Sequence, residues 1–288
     1  MKLNNVFIQD TFAEAWDLEV ARLIITGITT EIAMGAAEQF VGAAGSSELG
    51  SKINGGIERT LTPGETPDGR PGVAVSLTLT PDKREEFVAE LALRVVLATL
   101  APTVRVFDGM IASVTAKATV DLYAATAERW AGYDEERDLA GRTMCVVPTT
   151  TGEFMYEKQI TFSTEGTDGH IVCFAESEAA AVMAVAASKA AIAGVDGVSP
   201  MGMGLEQIFR EYDYVPALKD RIENSRVPEE THSILNLLMF GASEELMRQA
   251  MKVAVEAATT VAGVQQIGAM NFGGEFGKHK YVLRELIG

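Results

Sequence analysis

The sequence predicts an α+β fold of two ferredoxin-like lobes, each a mainly antiparallel sheet flanked by helices. The main observation is an internal repeat in the second half. Ser177-Glu178 and Ser243-Glu244 each open an Ala-rich helix that leaves through a glycine, Gly197 and Gly263. Both pairs of landmarks are 66 residues apart. With a strand before and after each helix, this half reads as βαβ followed by βαβ, the split pattern of a ferredoxin-like sandwich. The first half repeats the logic, with helices near Thr30–Gly42 and Pro81–Leu100. These patterns place an N-terminal α+β lobe at 1–142 and a C-terminal lobe, carrying the repeat, at 143–288.

Taken in order, Val6 and Ile8 alternate with polar neighbours as a short strand, and Asp10-Thr11 reads as a cap or turn before Phe12–Trp16. Leu18–Thr26 is a strand apolar on both faces. Thr29-Thr30-Glu31 opens a helix that stops at Gly42 or Gly45. Val73, Val75, Leu77 and Leu79 alternate with small and polar residues, the pattern of a strand facing one core. Thr80-Pro81-Asp82 starts a helix whose buried face is Phe87, Leu91 and Val95, ended by Pro102. Val104–Arg142 holds a strand, a loop at FDGM and a second helical segment. Phe154, Tyr156, Lys158, Ile160 and Phe162 lie on one face of a strand, with Ile171–Ala175 its hairpin partner across EGTDG. Small residues on the repeated helices (Ala184, Ala187, Ala191; Ala250, Ala254, Ala257) allow close packing on one sheet face.

Composition narrows the function. A 47% hydrophobic and 22% charged chain has the balance of a folded globular protein rather than a disordered one. A formal net charge of −16 argues against nucleic acid and anionic membranes as partners. Two distant cysteines, Cys145 and Cys173, argue against disulfides and fit a reducing cytoplasm. MKLNNVFIQD lacks a signal-peptide core, and the Ala-rich run Ala179–Val195 is too short to span a bilayer. The three histidines show no metal-ligand spacing, and there is no G-x-S-x-G elbow, P-loop or dinucleotide fingerprint.

One stretch does carry chemistry-bearing side chains at a stiff turn. In TPDGRPG, Pro67-Asp68-Gly69 is a turn by its residue types, and Arg70 is held between Gly69 and Pro71. Asp68 and Arg70 together form either an anion or amide clamp, or a tight connection with both groups solvated.

NNVFIQDTFAEAW (Asn4–Trp16), GIERTLTPGETPDGRPG (Gly56–Gly72), FDGM (Phe107–Met110), SRVPEE (Ser225–Glu230) and NFGGEFGKHKYVLREL (Asn271–Leu286) run from one end of the chain to the other. Together they resemble the formylmethanofuran:tetrahydromethanopterin formyltransferase family. The resemblance implies two α+β lobes assembled as a homodimer or homotetramer, alone or in a larger formyltransferase complex. It implies tetrahydromethanopterin and methanofuran as substrates, with no tightly bound cofactor and no metal. It also implies formyl transfer through a tetrahedral intermediate, which needs hydrogen-bond donors for an oxyanion and a group that carries a proton.

In the family a buried glutamate on a late strand does this work, and carrying that residue across through SRVPEE lands on Asn236. An asparagine amide can donate to an oxyanion but cannot exchange a proton. Asn236 is therefore either an oxyanion donor or a satisfied asparagine in an apolar strand, and His232 is the candidate proton carrier. Asp68, Arg70, Asn271 and Lys278 are the candidate substrate-binding groups. The glycines of NFGGEFGK either let backbone approach a ligand or form a bend between the last strands. GSSELGSKIN (Gly45–Asn54) and PMGMGLEQIFREYDY (Pro200–Tyr214) replace probable carrier-binding loops. Two further readings stay open: a catalytically impaired paralogue that binds a one-carbon carrier or serves as a structural subunit, and an enzyme acting on a different formyl amide.

Overall fold

The computed structural model describes residues 1–45, 50–204 and 212–288. In chain order the elements are β1 (Lys2–Leu3), β2 (Val6–Ile8), β3 (Phe12–Ala15), β4 (Asp17–Thr26), α1 (Thr30–Val41), β5 (Asn54–Leu61), β6 (Gly72–Leu79), α2 (Arg84–Leu97), β7 (Arg105–Asp108) and β8 (Lys117–Asp121). There follow α3 (Leu122–Thr126), β9 (Glu135–Leu139), β10 (Arg142–Thr149), β11 (Gly152–Glu157), β12 (Gln159–Ala175), α4 (Glu178–Ile192), β13 (Val198–Pro200), β14 (Ser233–Gly241), α5 (Glu244–Ala258), β15 (Val264–Gly268), β16 (His279–Val282) and α6 (Leu283–Leu286).

The chain divides into two compact units, Leu18–Gly166 and Met1–Asp17 with Thr167–Gly288. The sequence places its boundary at 142/143 instead, and strand pairing accounts for the difference. β10 pairs with β9 and β11, β11 runs parallel to β7, and β8 pairs with the start of β12, so residues up to 166 stay with the first unit. The N-terminal strands β2 and β3 pair with β15 and β16, which takes Met1–Asp17 to the other unit.

In Leu18–Gly166, β4-α1-β5-β6-α2-β7 is a βαββαβ unit with strand order β5-β6-β4-β7, all antiparallel. Thr29 caps α1 through its side chain, and Ala33, Ala36, Ala37 and Phe40 bury its inner face. The core under the helices includes Ala21, Leu23, Ile25, Val75, Leu77, Phe87 and Leu91. All eight residues of β6 are buried, so it does not face one core. Val73, Val75, Leu77 and Leu79 face the helices, while Ala74 joins Ile24, Phe107, Met144 and Val146 in a second cluster. The expected helix start at Thr80-Pro81 is a 3₁₀ turn over Pro81–Lys83, and the Lys83 N–H bonds Thr80 O three residues back. The α-helix begins only at Arg84 and ends at Leu97, ahead of Pro102.

In the other unit, β12-α4-β13-β14-α5-β15 gives the strand order β13-β14-β12-β15, again all antiparallel. Both units thus have the ferredoxin-like arrangement. The repeat is real in three dimensions. Ser177 and Ser243 accept the N–H groups of Ala180 and Leu246 as N-caps, and Gly197 and Gly263 take φ +88 and +86 at the exits. α4 and α5 approach closely enough for Ser188 Oγ to lie 2.9 Å from the carbonyl oxygen of Ala254, its repeat-equivalent residue. Ala184, Ala250 and Ala254 are buried at this contact, while Ala187, Ala191 and Ala257 are half-buried.

The expected hairpin across EGTDG does not form. β12 runs unbroken through Glu165–Gly169, its first half pairing with β8 and its second with β14 and β15. With ladder partners waiting on both stretches, the turn-prone residues stay extended. Phe154 and Tyr156 belong to β11, Ile160 and Phe162 to β12, and Lys158 separates the two strands; the four apolar side chains share one core. Among the described residues no helix is long and apolar enough to cross a membrane.

Candidate active site

β14 alternates by the usual rule of strands. Leu235, Leu237 and Met239 enter the core beneath α4 and α5, which turns Asn236 to the opposite face. There Asn236 pairs in register with Val172 of β12 and is 4% exposed. Its Oδ1 is buried with no hydrogen-bond partner among the described residues. Burying an unpaired amide group costs about 1–3 kcal/mol, so this is not a satisfied core asparagine.

Beside it on the same face stands His170, which the sequence pattern leaves unassigned between the supposed EGTDG turn and Ile171. His170 pairs with Leu238 and Val172 with Asn236, so His170 and Asn236 are diagonal neighbours, about 7–8 Å apart by strand geometry. His170 is 5% exposed, and its Nε2 lies 2.9 Å from the Met270 N–H nitrogen and 3.0 Å from the Met270 oxygen. Burial pushes its pKa down to about 4 against that contact, so the ring is neutral at pH 7. His232, the expected proton carrier, is exposed just ahead of β14, where its N–H bonds Ala175 O. Asn236 is four residue steps further along the extended chain, about 13 Å, too far to serve the same reacting atom.

The C-terminal segment is organised by a carboxylate that the sequence reading missed. Glu14, on β3, is fully buried and accepts four backbone N–H groups, from Phe272 (2.6 Å), Gly274 (2.9 Å), Phe276 (2.7 Å) and Gly277 (2.6 Å). Burial alone would raise its pKa, but the four bonds outweigh that and hold it at about 2. A Cβ on Gly277 would stand 2.6 Å from Glu14 Cγ, and Gly274 has φ +76, so both positions demand glycine. Of the two readings of NFGGEFGK, the bend describes this loop. Asn271 is tied into it, its amide donating to Thr11 Oγ1 and its Oδ1 accepting from Gly273 N. Lys278 is 71% exposed and bridges Asp17 at 2.9 Å. Trp16, Phe272 and Phe276 form a chain of edge-on ring contacts over the loop.

Asp68 and Arg70 lie in the Leu18–Gly166 unit and are brought together, Nε to Oδ2 at 2.7 Å. Neither is the solvated group of a plain turn. Asp68, with a side chain 1% exposed, also accepts from Thr26 Oγ1 and from Arg105 Nη1 at 3.1 Å. Arg70 donates to Thr103 O and Thr26 Oγ1, and burial lowers its pKa. The turn is a brace from the end of β4 to the start of β7, with two guanidiniums sharing one carboxylate. Arg105 gave no signal in sequence, since its partner lies 37 residues away. Of the replaced loops, residues 46–49 and 205–211 lie outside the described residues. Among the described residues no cluster of three His, Cys, Asp or Glu side chains could hold a metal ion.

Fold and site define a class of two-lobed α+β protein, each lobe a βαββαβ unit, with a buried carboxamide and a neutral histidine on one sheet face. Residues 1–149 match the family model formylmethanofuran-tetrahydromethanopterin formyltransferase, and residues 210–286 match that of its proximal lobe. The formylmethanofuran–tetrahydromethanopterin formyltransferases of Methanothermus fervidus and Methanosarcina barkeri are 34% and 33% identical, each alignment covering 99% of this chain and 100% of the relative. The solved Methanosarcina barkeri enzyme superposes with a TM-score of 0.90 at 32% identity, covering 99% of this chain and 100% of its own. A chain of the formyltransferase/hydrolase complex FhcABCD from Methylorubrum extorquens, solved with methylofuran, gives 0.85 at 27%, covering 100% and 99%. The chain belongs to the formylmethanofuran–tetrahydromethanopterin formyltransferase family.

Proposed function

We propose that this protein transfers a formyl group between formylmethanofuran and tetrahydromethanopterin, with Asn236 as a donor to the tetrahedral oxyanion. Full-length similarity to formyltransferases of that name supports the reaction, and the buried, unpaired Oδ1 of Asn236 supports the site. As the incoming amine adds to the formyl carbon, charge collects on the formyl oxygen, and an amide N–H held on a strand needs no reorganisation to meet it. In the same unit, Lys278 offers an exposed ammonium to an anionic carrier, and Asn271 shapes the loop that leads to it. Within the Leu18–Gly166 unit, Arg70 and Arg105, paired on Asp68, are separate candidate contacts for an anionic carrier. The protein acts as a homo-oligomer or within a larger complex; the Methylorubrum extorquens relative was solved in one.

The test is formyl transfer from formylmethanofuran to tetrahydromethanopterin by the purified protein, by Asn236→Leu and by Asn236→Glu. Turnover is expected in the unmodified protein, with about a 100-fold loss of kcat in Asn236→Leu, the usual effect of removing one oxyanion donor. Activity in Asn236→Glu alone would instead identify a carrier-binding paralogue whose chemistry is switched off.

A further inference from the structure

An asparagine cannot accept the proton that an attacking amine sheds, nor supply the one a departing amine needs. Resting on the formyl-transfer reading, we propose that His170 carries that proton through Nδ1, with Asn236 holding the oxyanion beside it.

Three observations support this. First, the register makes His170 and Asn236 diagonal neighbours on the sheet face away from α4 and α5, about 7–8 Å apart by strand geometry. Second, both residues are more than nine-tenths buried, Asn236 Oδ1 has no hydrogen-bond partner among the described residues, and the bonds His170 makes there run through Nε2. A buried carboxamide oxygen left unpaired beside a histidine nitrogen that no described group meets points to a ligand that contacts both. Third, the ring is anchored in a way that leaves Nδ1 free to change state. Nε2 meets both the N–H and the carbonyl oxygen of Met270, at 2.9 and 3.0 Å. With Nε2 protonated it donates to the carbonyl, and with Nε2 bare it accepts the N–H. The ring is therefore held by the same backbone residue in either tautomer.

The step balances without any further reactant. The amine nitrogen forms a bond to the formyl carbon, and the carbonyl π electrons move to oxygen, where the Asn236 amide donates to them. The proton on the new ammonium passes to the Nδ1 lone pair, while Nε2–H donates to Met270 O and stabilises the imidazolium. The oxygen electrons then re-form the carbonyl as the bond to the departing nitrogen breaks, and Nδ1–H returns its proton to that nitrogen. His170 is thus a catalytic residue by contact with both amines, and it replaces His232 in that role.

His170→Gln tests the assignment, because a glutamine amide still presents a donor and an acceptor to Met270 yet carries no exchangeable proton. We expect kcat to fall about 100-fold with KM nearly unchanged, the scale of a lost general acid–base group. The same substitution in the Asn236→Glu background should have little effect, because the introduced carboxyl takes over the proton. Turnover by the unmodified protein that survives His170→Gln within about twofold, well below the usual acid–base contribution, overturns this inference alone. Equal losses in both backgrounds with a lowered Tm would also overturn it, marking His170 as structural. No turnover in the unmodified protein overturns both this inference and the formyl-transfer reading.

Discussion

Glu14 shows what a single buried charge does here. Its carboxylate collects four N–H groups from one loop, and without it Phe272–Gly277 would have those donors unpaired. Its pKa is about 2 when folded against an ordinary 4.5, a depressed value. The stabilisation is therefore fully present above about pH 4.5 and is lost as pH falls through about 2. Glu14→Gln should lower Tm at neutral pH, and the gap between variant and parent should close as pH falls from 4.5 towards 2. Thermal unfolding followed across that range checks it; a gap independent of pH would count against the account. Sequence reading reached Asn236 through the family resemblance but passed over Glu14 and His170. Each is an ordinary residue until its partner, 100 or more positions away, is placed beside it.

At the scale of elements, the caps and glycine exits of α4 and α5 were legible because their signals are local. A serine before the first turn and a left-handed residue after the last are set by the backbone groups a helix leaves open. Ser243→Ala should cost about 1 kcal/mol, and Ser177→Ala should match it because the two caps are copies. Urea unfolding of the two variants measures both; a loss confined to one would break the equivalence. β12 was misread for the converse reason. Glu165–Gly169 has the residues of a turn, but ladder partners before and after it keep the strand extended. With a turn expected at Glu165–Gly169, nothing in the sequence pattern places the adjoining His170 on the same sheet face as Asn236.

At the scale of the molecule, the ferredoxin-like class was legible from the repeat, and the limits of the units were not. A boundary drawn at 142/143 follows sequence pattern, whereas contacts place it at 17/18 and 166/167. The return of Met1–Asp17 to β15 and β16 leaves no local mark. Global charge gives a prediction of its own. With 40 acidic against 24 basic residues, the folded chain repels itself, and salt shortens the reach of that repulsion from about 30 Å at 0.01 M to about 8 Å at 0.15 M. Tm should rise over that interval in a calorimetric salt series; a flat or falling trend would mean that local pairs dominate.

The pairing of the first strands with the last has a consequence for how the protein is made. Leu18–Gly166 is continuous in the chain, and all its strands have left the ribosome before the other unit is finished. Glu14 is made 258 residues ahead of Phe272, the first of its four N–H partners. Residues Met1–Asp17 therefore wait for their partner strands until β15 and β16 have been made. The lobe that carries Asn236 and His170 closes only once β15 and β16 have been made, so a chain cut before them would hold one finished unit and an incomplete second.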